Sequence, residues 1–326
     1  MKALVTGATG FTGGHLARAL ARAGDEVRAL VRDVDKARDL TAEGVTLERG
    51  DLADRATLPR ALEGVEVVFN VAALYRQAAL PADVYRRVNA EAVEWVVREA
   101  ATAGVRRVVH CSTVGVHGDI EQPPAGEDAP LRPGDIYQVT KLEGETRGRA
   151  AAADTGIELT IVRPSGIYGP GDRRLLKLFR GVARRRFVIL GDGEIFYHLT
   201  HIDDLVQGFR LAAATPGAAG RTYIIAGGEV TTLNALVGII AEEAGVPARV
   251  RHLPVWPFWT AGAVCEAVCA PLKLEPPIYR RRVDFFTKSR AFDITRARTE
   301  LGFSPQVGLR AGVRRTLEWY REAGWI

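Results

Sequence analysis

Met1-Lys-Ala-Leu-Val-Thr-Gly-Ala-Thr-Gly-Phe-Thr-Gly-Gly14 opens the chain and decides its fold, because an apolar run passes straight into glycines at positions 7, 10 and 13. Leu4 and Val5 suit a strand buried on both faces, and Leu16, Ala19, Leu20 and Ala23 then recur at helical spacing. A strand, a glycine turn and a helix in that order make a cradle for a pyrophosphate. The first glycine permits the tight turn, the second lets backbone approach the phosphates, and the third lets helix and strand pack closely, while the helix N-terminus offers N–H groups. The stretch therefore predicts a dinucleotide site touching Gly7, Thr9, Gly10, Phe11, Thr12 and Gly13.

Strand and helix signals alternate outward from this turn, the pattern of a parallel sheet covered by helices on both faces. Further strands are predicted at 27–32, 45–49, 65–70, 107–112 and 157–163, with one long helix over about 83–103 that Gly104 stops. In such sheets ligands bind at the carboxyl ends of the strands, so the residues just after each strand carry the interest. Arg32 follows the second strand and suits a ribose 2′-phosphate, which favours NADP over NAD, although Asp33 beside it would suit a free 2′-hydroxyl. Asp51 and Leu52 follow the third strand, where the carboxylate would bond the adenine amino group. Ala72 and Ala73 follow the fourth and are small enough to let backbone lie against the cofactor.

The fifth strand ends in Ser112 and Thr113, and Tyr137 and Lys141 follow one turn apart on the next predicted helix, so the spacing turns all four toward one cleft. This is the only Tyr-x-x-x-Lys in the chain. A free phenol titrates near 10, too high for a base at neutral pH, but a cation about 4 Å away is worth about 4 kcal/mol at an effective dielectric near 20. Lys141 would thus make Tyr137 a usable acid or base, with Thr113 holding a carbonyl or carbinol oxygen beside it.

Composition excludes several classes. A chain of 326 residues with 47% apolar and 25% charged residues is globular rather than disordered. Its net charge of +5 comes from arginines and lysines placed along the whole chain, which favours anionic small ligands and makes no case for nucleic acid. Clusters such as Arg184-Arg-Arg186 and Arg280-Arg-Arg282 read as solvated helix faces. Cys111, Cys265 and Cys269 give neither a disulfide framework nor a metal spacing, and with a strand starting at residue 2 they imply a reducing, cytoplasmic setting. The apolar window 253–272 is interrupted by Pro254, Pro257, Glu266 and Pro271, so no transmembrane segment is expected. Its Trp256, Phe258 and Trp259 suit the cover of an apolar ligand or a core, and a lipid-facing helix stays open.

Taken together, Thr6-Gly-Ala-Thr-Gly-Phe-Thr-Gly13, Asp51-Leu52, Ser112-Thr113 and Tyr137-x-x-x-Lys141 resemble the extended short-chain dehydrogenase/reductases. Arg163-Pro-Ser-Gly-Ile-Tyr-Gly-Pro170, Gly191-Asp-Gly193, His201-Ile-Asp-Asp204 and Leu301-Gly-Phe-Ser-Pro305 match family segments in order, so the resemblance covers essentially the whole chain. It implies a Rossmann-type doubly wound parallel sheet in an α/β fold, formed by residues 1–163 and rejoined by about 201–228. A smaller mixed α/β substrate lobe would then comprise 164–200 and 229–326. It also implies that Tyr137 is the catalytic acid/base, Lys141 also holds the nicotinamide ribose, Thr113 is the catalytic hydroxyl and Ser112 its second candidate. Pro164 and Ile167 would join the cofactor site, and Tyr75, His117, Ser165, Tyr168 and Tyr197 the substrate site.

Departures from family branches narrow the substrate. Val114-Gly115 stands where 4,6-dehydratases carry an Asp-Glu pair, and Tyr197-His198 stands where many nucleotide-sugar enzymes carry a diphosphate-binding Arg, although Arg173 or Arg282 would be able to replace it. The Arg163 to Pro170 run and the aromatic 253–272 stretch look more like the 3β-hydroxysteroid dehydrogenase-like branch. The expectation is an NAD(P)-dependent oxidoreductase interconverting a secondary alcohol and a ketone on an apolar or mixed-polarity small molecule, with homodimer formation left open. A nucleotide-sugar 4-epimerase and a non-catalytic dinucleotide sensor are the competing readings.

Overall fold

The computed structural model describes residues 1–75, 80–248, 250–269 and 280–326, with side chains in the last segment from residue 283 onward. Its strands, in chain order, are β1 (Lys2–Thr6), β2 (Glu26–Val31), β3 (Thr46–Arg49), β4 (Val67–Asn70), β5 (Arg107–Cys111), β6 (Glu158–Pro164), β7 (Gly166–Tyr168), β8 (Val188–Leu190), β9 (Phe196–His201), β10 (Thr222–Ile225), β11 (Val230–Thr232) and β12 (Arg251–Leu253). Seven of them form one sheet in the order β10-β6-β5-β4-β1-β2-β3. Every pairing within it is parallel. The order reverses between β1 and β4, so connections leave these two strands toward opposite sides and open a crevice at their carboxyl ends.

Alternation along β1 shows how the sheet is buried. Ala3 and Val5 join one core cluster, with Leu16 and Leu20 of helix Phe11–Arg22 and Phe209 of helix Ile202–Ala214, whereas Leu4 joins the opposite cluster, with Val96, Val97 and Ala151. Both faces are therefore dry, as a parallel sheet requires. β10 lies beside β6 at the edge, and Phe292, Ile294, Leu301 and Phe303 pack into the first of these clusters.

The remaining strands make a mixed three-stranded sheet, β11-β9-β7, and a parallel pair, β12-β8. These lie with a third cluster built from Tyr168, Phe179, Leu236, Ile240, Leu317 and Tyr320. One expected element differs. The helix predicted over about 83–103 is two α-helices, Ala82–Arg86 and Ala92–Thr102, joined by a π-helical turn at Arg87–Glu91. The turn holds Asn89, whose side chain is fully buried and makes three hydrogen bonds off the helix, the kind of local demand that π-turns meet.

Candidate active site

The glycine turn forms one wall of a cleft of about 1390 Å³ that runs along the carboxyl ends of the strands. Gly7 takes φ +72°, and a Cβ there would come within 2.7 Å of the Ala72 Cα, so glycine is what lets the β1 and β4 loops touch. A Cβ on Gly13 would lie 2.3 Å from the Gly7 carbonyl oxygen, which closes that position to any side chain. At Gly10 the Gly7 oxygen at 3.2 Å is the only near atom. Gly10 is also the N-cap of helix Phe11–Arg22 and supplies no side chain to it. The first N–H groups of that helix thus open onto the cleft, an arrangement that fits a pyrophosphate.

Thr6 ties the two loops together. Its hydroxyl donates to Asn70 Oδ1 at 2.8 Å and accepts the Val71 and Ala72 N–H groups at 3.0 and 3.1 Å. Thr9, Phe11, Thr12, Ala72, Ala73, Pro164 and Ile167 line the cleft with the three glycines, as the sequence implied. Asp51 and Leu52 do not. Asp51 Oδ1 accepts the Ala53 N–H at 2.9 Å within its own turn, while Leu52 is buried in the core. Arg32 is not in the lining either; it is exposed just past the end of β2. No ion pair among the described residues involves it. Asp33 beside it accepts the Asp35 and Lys36 N–H groups and pairs with Lys36 Nζ at 3.1 Å.

The opposite wall carries Thr113, Tyr137 and Lys141. Asp135 caps helix Ile136–Thr155 by accepting the Gln138 N–H at 2.9 Å, and Gly156 ends it in the left-handed region, so the helix presents Tyr137, Lys141 and Glu145 along one face at four-residue steps. Lys141 is 1% exposed; its Nζ donates to the Cys111 carbonyl at 2.6 Å and lies 3.4 Å from His110 Nε2. Burial pushes the ammonium below the ordinary lysine range, against the opposing pull of Cys111 and Glu145. Burial, reinforced by Lys141, holds His110 well below its usual value, and burial pushes the Cys111 thiol up to about 11.

Thr113 Oγ1 accepts the Gly115 N–H at 3.0 Å, which fixes the oxygen and leaves its O–H for the cleft. Ser112 differs, since its hydroxyl donates to Glu145 Oε1 at 2.5 Å. Glu145 in turn accepts both arms of Arg163 at 2.9 and 2.6 Å, and both members of the pair are buried. Ser112 therefore lines the cleft beside Thr113 with its hydroxyl proton already given to Glu145.

The substrate residues separate. Tyr75 and Ser165 line the cleft, and the Tyr75 ring meets Tyr137 edge-on at 4.9 Å while the Arg174 guanidinium lies 5.4 Å from its face. His117 is buried against Arg163 at 3.2 Å, outside the cleft lining. Tyr168 and Tyr197 are 1% and 5% exposed, donating to the carbonyls of Leu309 and Phe285 from within the second lobe. Neither touches the cleft, because the C-terminal elements bury them. Tyr197 and His198 bring no cation to that strand, and burial pushes the His198 ring below its usual value. Arg173 does line the cleft, 5.0 Å from the Trp325 ring; the Arg282 side chain lies outside the described residues, as do positions 270–272 of the apolar window.

Two residues, Asn89 and Glu145, escaped the sequence reading. Asn89 accepts the Leu74 N–H at 2.8 Å and donates to the Leu74 carbonyl at 3.0 Å and to Thr140 Oγ1 at 3.1 Å. Glu145 stands one turn beyond Lys141, a spacing visible in the sequence, but the partnership with Arg163 is not.

Known proteins bear on this geometry. The model of the NAD dependent epimerase/dehydratase family matches residues 3–226. A 2-alkyl-3-oxoalkanoate reductase of Stenotrophomonas maltophilia is 33% identical, over 97% of this chain and 98% of its own length. A 4-hydroxy-2-methyl-3-oxo-4-farnesyl-3,4-dihydroquinoline-1-oxide ketoreductase of Stigmatella aurantiaca is 30% identical over 99% and 97%. Among solved structures, a dTDP-glucose 4,6-dehydratase double mutant of Streptomyces venezuelae with NAD bound superposes with a TM-score of 0.81 at 29% identity, covering 100% of this chain and 98% of that one.

Proposed function

The chain belongs to the NAD dependent epimerase/dehydratase family as an NAD(P)-dependent oxidoreductase of the extended short-chain type, and we propose that it reduces a ketone on an apolar or mixed-polarity substrate, using NADPH. The observation that carries this reading is the convergence of Thr113, Tyr137 and Lys141 on one wall of a cleft whose other wall is the glycine turn.

A bound nicotinamide dinucleotide supplies the hydride. The chain's own residues handle the proton and the oxygen. Tyr137 delivers a proton to the carbonyl oxygen as negative charge develops there, and the Lys141 cation on the same helix face strengthens the phenol as an acid. The Thr113 O–H, its oxygen pinned by Gly115, orients the same carbonyl. Ser112, beside Thr113 in the cleft lining, links this strand end to Glu145.

Two observations support NADP as the preferred cofactor. Arg32 stands exposed past β2 with no carboxylate partner among the described residues, and Asp33, the group that would favour a free ribose, is occupied by Lys36 and its own turn. Support for the substrate class comes from the two reductases at 33% and 30% identity, both named for ketones bearing alkyl or farnesyl groups. Val114-Gly115 after Thr113 and the buried Tyr197-His198 both argue against a dehydratase chemistry or a diphosphate clamp in this chain. Arg174, held over Tyr75, is the cation that an acidic end of the substrate would meet. The working compartment is cytoplasmic, in keeping with three free cysteines.

The test follows cofactor absorbance while long-chain 3-oxo acids and other apolar ketones are offered with NADPH. Net oxidation of NADPH is expected. Redox-neutral isomerisation of a nucleotide sugar would replace this reading with an epimerase, and tight NADP binding without turnover on any substrate would replace it with a sensor.

A further inference from the structure

His110 is a buried titratable group to which the chemistry above gives no task, and the hydrogen bonds around it fix where its ring proton sits. They start at Thr6, whose hydroxyl oxygen accepts two N–H groups, from Val71 at 3.0 Å and from Ala72 at 3.1 Å. Both of its lone pairs are then taken. The hydroxyl proton therefore goes to the Asn70 side chain 2.8 Å away, and the amide atom facing Thr6 is the oxygen. The Asn70 NH2 group is thereby turned toward His110 Nδ1, at 3.3 Å. An NH2 group only donates, so Nδ1 accepts and carries no proton. Burial keeps the ring neutral, which leaves its single proton on Nε2.

Nε2 lies 3.4 Å from Lys141 Nζ. A neutral amine has one lone pair to receive that N–H and still donates to the Cys111 carbonyl at 2.6 Å. An ammonium has no lone pair, so it would set N–H against N–H. The contacts thus fit the amine better than the cation, and burial acts in the same direction. On its own helix Lys141 has Tyr137 one turn before it and Glu145 one turn after. Glu145 pulls toward the ammonium, but Arg163 of β6 matches its charge, while the Cys111 thiol of β5, raised to about 11, stays protonated at neutral pH. β1 and β4 contribute the uncharged Thr6 and Asn70.

We infer that His110 is a positioning residue for Lys141: oriented by Asn70 and Thr6, it holds a ring N–H against the amine and makes the cation beside Tyr137 easy to discharge. The sign for the reaction follows. Reduction uses the Lys141 cation, which is present below its titration and lost as pH rises through it, so removing the N–H lets the cation persist to higher pH.

NMR of the full chain, with nitrogen-15 in histidine and carbon-13 at lysine Cε, reads both groups without any substrate. His110 is expected as the Nε2–H tautomer. Lys141, one of six lysines and assigned by its loss in Lys141→Met, should titrate about one unit or more below the ordinary lysine range. In His110→Phe, apolar but without the N–H, that titration should move up by about one unit. In His110→Gln, whose amide offers an oxygen to Asn70 and an N–H to Lys141, it should stay at the wild-type value. The falling limb of kcat/KM against pH with NADPH, a readout that rests on the ketone reduction proposed above, should shift in the Phe variant and not in the Gln variant. An Nδ1–H tautomer, its proton on the Asn70 carbonyl, would make Nε2 an acceptor for the ammonium and overturn the role of His110. So would a Lys141 titration that His110→Phe leaves in place or lowers. Absence of turnover on every ketone, with the NMR shifts as expected, would refute the reaction and leave the role of His110 standing.

Discussion

The end of β5 with the helix after it, and the β7 to β9 region, carry similar side chains to different ends. Each offers a tyrosine near a buried histidine and a hydroxyl. Tyr137 sits half-buried on the cleft wall above Lys141, whereas Tyr168 and Tyr197 are turned inward with their hydroxyls on the carbonyls of Leu309 and Phe285. Burial raises both of those phenols far above their usual value, which removes them from proton chemistry. The difference teaches that a tyrosine becomes a reagent or a wedge according to what the distant chain lays over it.

The strongest way to break this contrast is Tyr137→Phe, which should lower turnover by about 10³-fold with NADPH affinity unchanged; steady-state rates and a fluorescence titration read the two, and turnover within tenfold of wild type would strip Tyr137 of its role. Next in size is Glu145→Gln, which leaves the buried Arg163 short of its counter-charge and should cost about 3 kcal/mol in a urea unfolding curve. A loss below about 1 kcal/mol would mean that the pair is not what holds the β5 end. Arg32→Ala removes one charge-assisted contact and should weaken NADP by about tenfold or more relative to NAD. Equal weakening of both cofactors would remove the reason for preferring NADP. The smallest effect belongs to Tyr168→Phe, expected to change stability by under about 1 kcal/mol and the Michaelis constant not at all, since its long 3.4 Å bond faces away from the cleft. A raised KM there would put the tyrosine back in the substrate site.

What could be read in the sequence was what is encoded locally. The glycine turn shows because backbone conformation and close approach restrict residue type at three fixed positions, and the sheet shows because burial on both faces leaves apolar runs at regular intervals. Tyr137 and Lys141 show because four residues make one helical turn. Partners set by tertiary packing did not show. Glu145 finds Arg163 on the next strand, and Asn89 reaches Leu74 and Thr140 from a π-turn that the apolar periodicity smooths over. The fate of Tyr168 is decided by Leu309, 141 residues away. Asp51 holds its own turn through one carboxylate oxygen, a local demand that a carboxylate after a strand meets as readily as an adenine contact.

Asn89 also acts as a spacer. Its amide grips Leu74, at the end of the loop that forms one wall, and Thr140, next to Lys141 on the helix that forms the other. Hydride and proton must reach adjacent atoms of one carbonyl, and a misplacement of about 1 Å can cost about a hundredfold in rate. One buried amide therefore bridges the stretch after β4 and the helix that carries Tyr137 and Lys141 through three hydrogen bonds.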